Sequence, residues 1–169
     1  MKNRFTKCRR IRRSNHTVMT KVSHYVYLDV CALCRRFDDQ EQMRIRLETE
    51  ALQLILSHVE SGDLHMVVSP VHLIEIGAIT TLPEREHLNA ILEEWGQRIA
   101  FDLPAVRKRA EFLAEKGLGP ADAAHLAFAE AANADFITCD DRLLRQCQRL
   151  QTSVWAGTPI AFCDKENLR

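Results

Sequence analysis

Two stretches near the carboxyl half decide the fold: Gly119-Pro-Ala-Asp122-Ala-Ala-His-Leu-Ala127 and, shortly after it, Asp135-Phe-Ile-Thr-Cys-Asp140-Asp141. The first predicts a helix, because proline suits the first helical turn and alanine favours helix. The second predicts a short buried strand over residues 136–138 that ends at an acidic pair. A helix that leads into a buried strand is typical of βαβ units, and therefore predicts a parallel sheet.

Two more acidic residues stand at comparable places. Asp29 closes the apolar run His24-Tyr-Val-Tyr-Leu-Asp29, and Glu75 interrupts the apolar helix pattern Ser69-Pro-Val-His-Leu-Ile-Glu75-Ile. The carboxyl ends of parallel strands meet at one edge of a sheet. Carboxylates held together there repel one another unless a hard cation such as Mg²⁺ or Mn²⁺ lies between them. We therefore expect Asp29, Glu75, Asp122 and Asp140 to form one site for metal-assisted chemistry on phosphate esters.

The apolar pattern elsewhere alternates between long helical segments and short strands. It predicts an α/β fold with three layers, in which helices cover both faces of a central, mainly parallel sheet. Helices are expected at 41–61, 84–97, 104–116 and 120–132, with others starting near Ser69 and Asp141. Strands are expected at 24–29, 65–69, 98–101 and 136–138, with a last edge strand or pair at 154–155 and 160–162.

The charge is divided unevenly along the chain. Residues 1–22 carry eight Lys or Arg and no acid, whereas the remaining chain has 15 basic against 23 acidic side chains. We interpret 1–22 as a disordered basic tail, with a nucleic-acid-binding arm as the alternative, and 23–169 as one domain. No apolar run is long enough to span a membrane.

Six cysteines occur, and only Cys31-Ala-Leu-Cys34 has motif spacing. A zinc site would need a second such pair. Free thiols in a reducing cytoplasm are the preferred interpretation.

Each acid also has an ordinary structural explanation. Asp140 or Asp141 would suit a helix N-cap, Asp122 lies in a first helical turn, and Asp29 could start a turn. His125, three residues after Asp122, is interpreted as a hydrogen-bonded core histidine, with a ligand role as the alternative.

Glu75 is harder to explain in this way. Its apolar neighbours Leu73, Ile74 and Ile76 suggest a largely buried helix, where an unpaired carboxylate is costly. Arg35, Arg36 or a metal ion would be its partner.

At these residues the chain resembles the PIN-domain family, and within it the VapC-like toxin ribonucleases. The first family acid matches Asp29, the helical Glu matches Glu75, the Asp-Ala-x-x-x-Ala helix matches Asp122 to Ala127, and Thr-x-Asp matches Thr138-Cys-Asp140. The resemblance implies an α/β/α fold, Mg²⁺ or Mn²⁺ held by Asp29, Asp122 and Asp140, and RNA cleavage. It also implies a homodimer and an antitoxin partner.

The chain departs from the family after its first acid. Many members have Ser or Thr and then Asn or Ser there, whereas this chain has Val30 and Cys31. The departure keeps open a second hypothesis, a PIN module that binds RNA or protein without cleaving. A phosphatase of the haloacid-dehalogenase type is less favoured, because it needs a second Asp where Cys31 stands.

Overall fold

Five short parallel strands form the centre of the protein, whose computed structural model describes residues 24–169. The strands follow the spatial order β3-β2-β1-β4-β5. They are β1 (Tyr25–Leu28), β2 (His65–Val68), β3 (Gly96–Arg98), β4 (Asp135–Ile137) and β5 (Ala156–Gly157). The predicted α/β class with a parallel sheet is confirmed. The expectations for the basic segment 1–22 lie outside the described residues.

In the described part of the chain, eight helices connect and cover the strands. They are α1 (Val30–Leu33), which continues into a 3-10 turn (Cys34–Phe37), α2 (Met43–Glu60), α3 (Pro70–Ala78), α4 (Leu82–Trp95), α5 (Leu103–Glu115), α6 (Pro120–Ala131), α7 (Asp141–Leu150) and α8 (Pro159–Glu166). Within residues 24–169, none of these helices combines the length and apolarity needed to cross a membrane.

The two faces of the sheet bury different side chains, because successive strand residues point to opposite sides. Val26 and Leu28 belong to one apolar core together with residues of α2, α3, α4 and α8. Tyr27, between them, belongs to the other core with residues of α5, α6 and α7. This alternation produces the three predicted layers.

The third strand begins earlier than predicted, at Gly96 rather than Arg98. A Cβ at Gly96 would lie 2.3 Å from both the Leu92 carbonyl oxygen and Val68 Cγ2. Glycine therefore lets the chain turn from α4 straight into pairing with β2. Because the sequence Gly-Gln-Arg is polar, a search for apolar runs does not predict this strand.

The last predicted strand is wrong for residues 160–162. They lie in α8, which Thr158 caps by accepting a hydrogen bond from the Ala161 N–H, with Pro159 in the first turn. Phe162 is fully buried from this helix. The edge strand is instead Ala156–Gly157, which begins two residues after the predicted start at residue 154. The cap signal Thr-Pro was present in the sequence and outweighs the short apolar run.

The helix that carries Glu75 is less buried than predicted. Ile76 is buried, but Leu73 is 45% exposed and Ile74 is 71% exposed. Only one stripe of α3 faces the core, so two large apolar side chains stay on the surface.

A buried carboxylate fixes α2 against the segments near the carboxyl edge of the sheet. Glu48 is 1% exposed, and its two oxygens accept hydrogen bonds from Arg35 Nε at 2.6 Å and Arg44 Nε at 2.8 Å. Arg44 also forms a two-pronged pair with Asp141, the first residue of α7, at 2.7 Å for each contact. Glu48 therefore ties α2 to the 3-10 turn and, through Arg44, to α7.

We predict that Glu48→Ala lowers the free energy of unfolding by about 3 kcal/mol, because it removes the buried carboxylate that Arg35 and Arg44 share. Urea denaturation followed by circular dichroism measures this change. The matched control is Glu111→Ala, which breaks the exposed i,i+4 pair with Arg107. That change is expected to cost about 0.5 kcal/mol or less. Equal losses in the two variants would contradict the structural role of Glu48.

A candidate metal centre at the carboxyl edge of the sheet

Asp29 is the central acid of the site. It follows β1 directly, is 6% exposed, and its backbone N–H donates to the Ile137 carbonyl oxygen at 2.9 Å. It is the N-cap residue of α1, yet its side chain makes no cap hydrogen bond. The carboxylate is therefore directed to other partners, which hold it at the edge of the sheet.

Two short side chains hold this carboxylate. Thr138 Oγ1 donates to Asp29 Oδ2 at 2.6 Å, and the Cys31 thiol donates to the same oxygen at 3.0 Å. Burial, followed by the charge of Asp29, raises the pKa of the Cys31 thiol well above its ordinary value. The thiol therefore stays protonated and serves as a neutral donor to Asp29.

Thr138 also links Asp29 to the second strand-end acid. Its Oγ1 accepts a hydrogen bond from the Asp140 N–H at 3.1 Å. Asp140 caps α7, and its Oδ1 accepts from the N–H groups of Arg142 and Leu143. The predicted N-cap is therefore present. Both cap bonds use Oδ1, so the cap role leaves the other oxygen of this exposed carboxylate for further contacts.

Asp122 lies in the first turn of α6, half-buried beside the other acids. Burial raises its pKa above the ordinary value of 3.8, and the charges of Asp29 and Asp140 raise it further. Glu75 contributes a smaller effect in the same direction. The other three predicted acids are therefore near enough to raise the pKa of Asp122.

Glu75 has a partner that differs from the predicted arginines. Its Oε2 lies 2.9 Å from His125 Nε2, and this hydrogen bond lowers the pKa of Glu75. Arg35 is instead bonded to Asp38 and Glu48, and Arg36 to His87. The carboxylate is half-buried rather than enclosed, because α3 exposes much of its surface.

A buried polar chain lies behind the site, and sequence reasoning found only its first member. His125 is hydrogen-bonded and 1% exposed, as expected of a core histidine. Its Nδ1 lies 2.7 Å from the Tyr27 hydroxyl, which lies 2.6 Å from Ser69 Oγ. Ser69 in turn contacts His72 Nδ1 at 3.2 Å. Burial, and then the neighbouring His125, lowers the pKa of His72 to about 4.

The sequence held a partial signal for this chain. Ser69 precedes a helix-starting proline, and His72 stands three residues later, where a side chain can reach back to the Ser69 N–H. That bond is present at 3.1 Å. Tyr27 gave no such signal, because it reads as one more apolar residue of β1.

The donor set fits a divalent cation. Ligand atoms of Asp29, Glu75 and His125 all lie within 4.8 Å of one another. His125 Nε2 is 2.9 Å from Glu75 Oε2 and 3.9 Å from Asp29 Oδ1. Ligand atoms around a six-coordinate cation are separated by roughly 3 to 4 Å, so these spacings suit one ion. That Asp122 and Asp140 join Asp29 as ligands stays a prediction.

A second cluster of similar composition lies at the opposite edge of the sheet. His24, Asp135 and Glu166 also have ligand atoms within 4.8 Å of one another. Here, however, the Lys165 ammonium bonds to both carboxylates. Its charge already offsets theirs, so this cluster is explained as an ion-pair network.

Comparison with known proteins gives a family and a fold. The family model described as PIN domain matches residues 26–148, a segment that contains all four predicted acids. Among solved structures, FitAcB from Neisseria gonorrhoeae is 16% identical, with 79% of this chain and 97% of that chain covered and a TM-score of 0.48. FitAB bound to an IR36 DNA fragment is 13% identical, with 80% and 95% covered and a TM-score of 0.49. No curated protein matches the sequence.

We predict that Asp29→Asn lowers the pKa of Asp122, because it removes the negative charge that raises this pKa most, while the burial of Asp122 persists. Carboxyl ¹³C NMR titration of the metal-free protein measures the shift. Asp135→Asn, at the opposite edge of the sheet, is the control and is expected to leave the pKa of Asp122 unchanged. An identical titration of Asp122 in wild type and Asp29→Asn would show that the two charges do not interact.

The same raised pKa has a consequence for stability. The folded protein binds the proton of the Asp122 carboxyl more tightly than the unfolded chain does. Asp122 therefore lowers the free energy of unfolding as the pH rises from 3.8 through its raised pKa in the folded protein.

Proposed function

The chain belongs to the PIN domain family, and from this premise we propose that it is a divalent-metal-dependent endoribonuclease. The observation that carries the proposal is the grouping of Asp29, Glu75 and His125 within metal-binding distance, with Asp122 electrostatically coupled to them. Clustered carboxylates of this kind suit Mg²⁺ or Mn²⁺ and serve hydrolysis of phosphate esters.

Each acid has a role in this proposal. Asp29, Asp122 and Asp140 hold the cation, and Glu75 completes the set or positions the attacking water. Bound there, the cation would lower the pKa of water and offset the charge of the phosphate. Thr138 and Cys31 fix the orientation of Asp29 by donating to one of its oxygens, which leaves the other free.

The acidic domain needs local positive charge to accept an RNA backbone. Residues 23–169 have an excess of eight acidic side chains, which repels phosphate at long range. Arg142 and Arg145 are exposed on α7, which begins directly after Asp140. These two side chains are therefore the best placed to contact a phosphate beside the site, whereas Arg35 is engaged with Asp38 and Glu48.

A PIN module that binds without cleaving is the second candidate. The observation that favours it is Cys31, whose thiol stands where many family members carry a hydroxyl or amide beside the first acid. Such a module would bind Mn²⁺ and RNA and yet leave the RNA intact. Cleavage assays and metal titrations on the same preparation separate the two functions.

We predict that the purified protein cleaves RNA in Mg²⁺ or Mn²⁺ and that EDTA stops the reaction. Asp29→Asn and Asp122→Asn should each reduce the rate by roughly a hundredfold or more, because a cation contributes several kcal/mol to the transition state. A labelled single-stranded RNA on a denaturing gel measures the rate, with a DNA of the same sequence beside it.

The matched control for these variants is Asp135→Asn, which changes the same residue type at the opposite edge of the sheet. It is expected to keep wild-type activity. Cleavage that continues undiminished in both Asp29→Asn and Asp122→Asn would exclude this mechanism. Cleavage of the DNA alone would exclude RNA as the substrate.

We also propose a homodimer, and exposed apolar side chains support it. Leu73 and Ile74 on α3 and Leu103 at the start of α5 are each 45% exposed or more. Leu73 and Leu103 line the same cavity of about 270 Å³, together with Phe101. Apolar groups gathered in this way are typical of protein–protein interfaces. The role of a toxin with an antitoxin partner rests on the family resemblance.

We predict that Ile74→Asp converts the dimer to a monomer, because a charge in an apolar interface is costly to bury. Light scattering at micromolar concentration should give twice the 19.4 kDa chain mass for wild type and a single chain mass for the variant. Ile160→Asp changes another exposed isoleucine, on α8, and is expected to stay dimeric. A monomeric wild type would refute the dimer.

A further inference from the structure

His125 is the one nitrogen donor in the candidate metal group of Asp29, Glu75 and His125. It lies on α6 one turn after Asp122, so the helix that presents the acid also presents the imidazole. Its ring is 1% exposed, and its Nε2 points to Glu75 Oε2 at 2.9 Å and Asp29 Oδ1 at 3.9 Å. A buried imidazole that faces two carboxylates is suited to a metal ion, provided that Nε2 offers a lone pair.

At His72, the end of the polar chain that lies away from the acids, the direction of the hydrogen bonds is fixed. The Ser69 backbone N–H donates to His72 Nδ1 at 3.1 Å, so that ring nitrogen is an acceptor. The other ring nitrogen, Nε2, therefore carries the proton and donates to the Leu28 carbonyl oxygen at 2.8 Å. When the Ser69 hydroxyl, 3.2 Å away, also donates to His72 Nδ1, it shares the single lone pair of that nitrogen with the Ser69 N–H.

From His125 to His72, each group of the chain can then donate a hydrogen bond to the next. The Tyr27 hydroxyl then donates to Ser69 Oγ at 2.6 Å, and His125 Nδ1–H donates to the Tyr27 oxygen at 2.7 Å. With its proton on Nδ1, His125 can direct the Nε2 lone pair to a cation held by Asp29 and Glu75, in place of the hydrogen bond that Nε2 makes to Glu75 without one. Histidines that bind metals usually donate their other ring N–H to a fixed partner in this manner.

We propose that His125 Nε2 is a ligand of the cation that Asp29 and Glu75 hold, and that this site therefore prefers Mn²⁺ and later first-row cations to Mg²⁺. The inference rests on the proposed function, since it concerns the cation of the same site. Mg²⁺ is a hard ion that keeps its waters and binds mainly carboxylates. An imidazole nitrogen favours transition cations, whose affinity rises from Mn²⁺ through Co²⁺.

The competing explanation gives His125 a structural role only. In that case Nε2 keeps its proton, donates to Glu75, and never contacts the cation. The donors would run the opposite way, from the Ser69 hydroxyl to Tyr27 and from Tyr27 to His125 Nδ1. Without a cation, Nε2–H donates to Glu75 Oε2 at 2.9 Å, whereas a cation bound at Nε2 requires the proton to lie on Nδ1. The nitrogen must therefore be observed next to the metal to separate the two explanations.

The experiment adds Mn²⁺ alone to the full-length protein and records electron spin echo envelope modulation. A directly bound imidazole gives a ¹⁴N modulation, and selective ¹⁵N-histidine labelling changes its frequency. We expect both signals in wild type. His125→Gln should abolish the modulation and weaken Mn²⁺ binding by at least about tenfold in calorimetric titration, with a smaller change for Mg²⁺. Circular dichroism and a thermal melt test the fold of the variant.

The matched control is His24→Gln, which removes the histidine of the opposite cluster of His24, Asp135 and Glu166. Its modulation and Mn²⁺ affinity should equal those of wild type. Loss of the modulation in His24→Gln, its persistence in folded His125→Gln, or its absence from labelled wild type would each overturn the proposal. Where His125→Gln does not fold, the absence of the modulation from labelled wild type still overturns the proposal.

This experiment and the cleavage assay fail independently. A protein that cleaves RNA without histidine modulation keeps the proposed function and loses the nitrogen ligand. A protein with histidine modulation that never cleaves RNA keeps the nitrogen ligand and loses the nuclease function.

Discussion

Repulsion between carboxylates gathered at one edge of the sheet is the constraint on which the site depends. Burial is the first cause of the raised pKa of Asp122, and repulsion from the charges of Asp29 and Asp140 raises it further. Asp29 faces the same constraint with little access to water. The protein offsets the cost with neutral donors: the Thr138 hydroxyl, the Cys31 thiol and the first backbone N–H groups of α7, which Asp140 receives. Among residues 24–169, no arginine or lysine enters this set of contacts.

The neutral support continues below the site. Tyr27, Ser69, His72 and His125 form one hydrogen-bonded chain between β1, α3 and α6, and all four are almost fully buried. Within residues 24–169, no buried side-chain nitrogen or oxygen lacks a hydrogen-bond partner. A satisfied buried network rigidifies its surroundings, because any displacement leaves a polar group unpaired in a low-dielectric interior. The positions of Glu75 and His125 are therefore set by packing that lies well away from solvent.

The sequence predicted those parts of the fold that follow from local pattern. Strand-end acids such as Asp29 and Asp140 were recognisable because a short apolar run ends at each, and parallel strands bring such ends together. The partner of Glu75 was not recognisable, because His125 lies fifty residues away and its helix face is set by tertiary packing. The start of the strand Gly96–Arg98 was not predicted for a different reason. The close approach of Gly96 to neighbouring atoms, rather than a run of apolar side chains, specifies it.

Cys31 differs from the residue that many family members have at this position, and the difference affects the hydrogen bonding of Asp29. A hydroxyl at this position would act as a neutral donor to the first acid. The structure shows that the Cys31 thiol already donates to Asp29, and that Thr138, directly after the neighbouring strand β4, donates its hydroxyl to the same oxygen. Burial and the charge of Asp29 keep the thiol protonated, so it adds no negative charge to the acidic group. What the substitution removes is hydrogen-bond strength, since a thiol is a weaker donor than a hydroxyl. Orientation of Asp29 therefore falls mainly to Thr138, which makes the Thr-x-Asp pair after β4 the stronger determinant of this candidate metal centre.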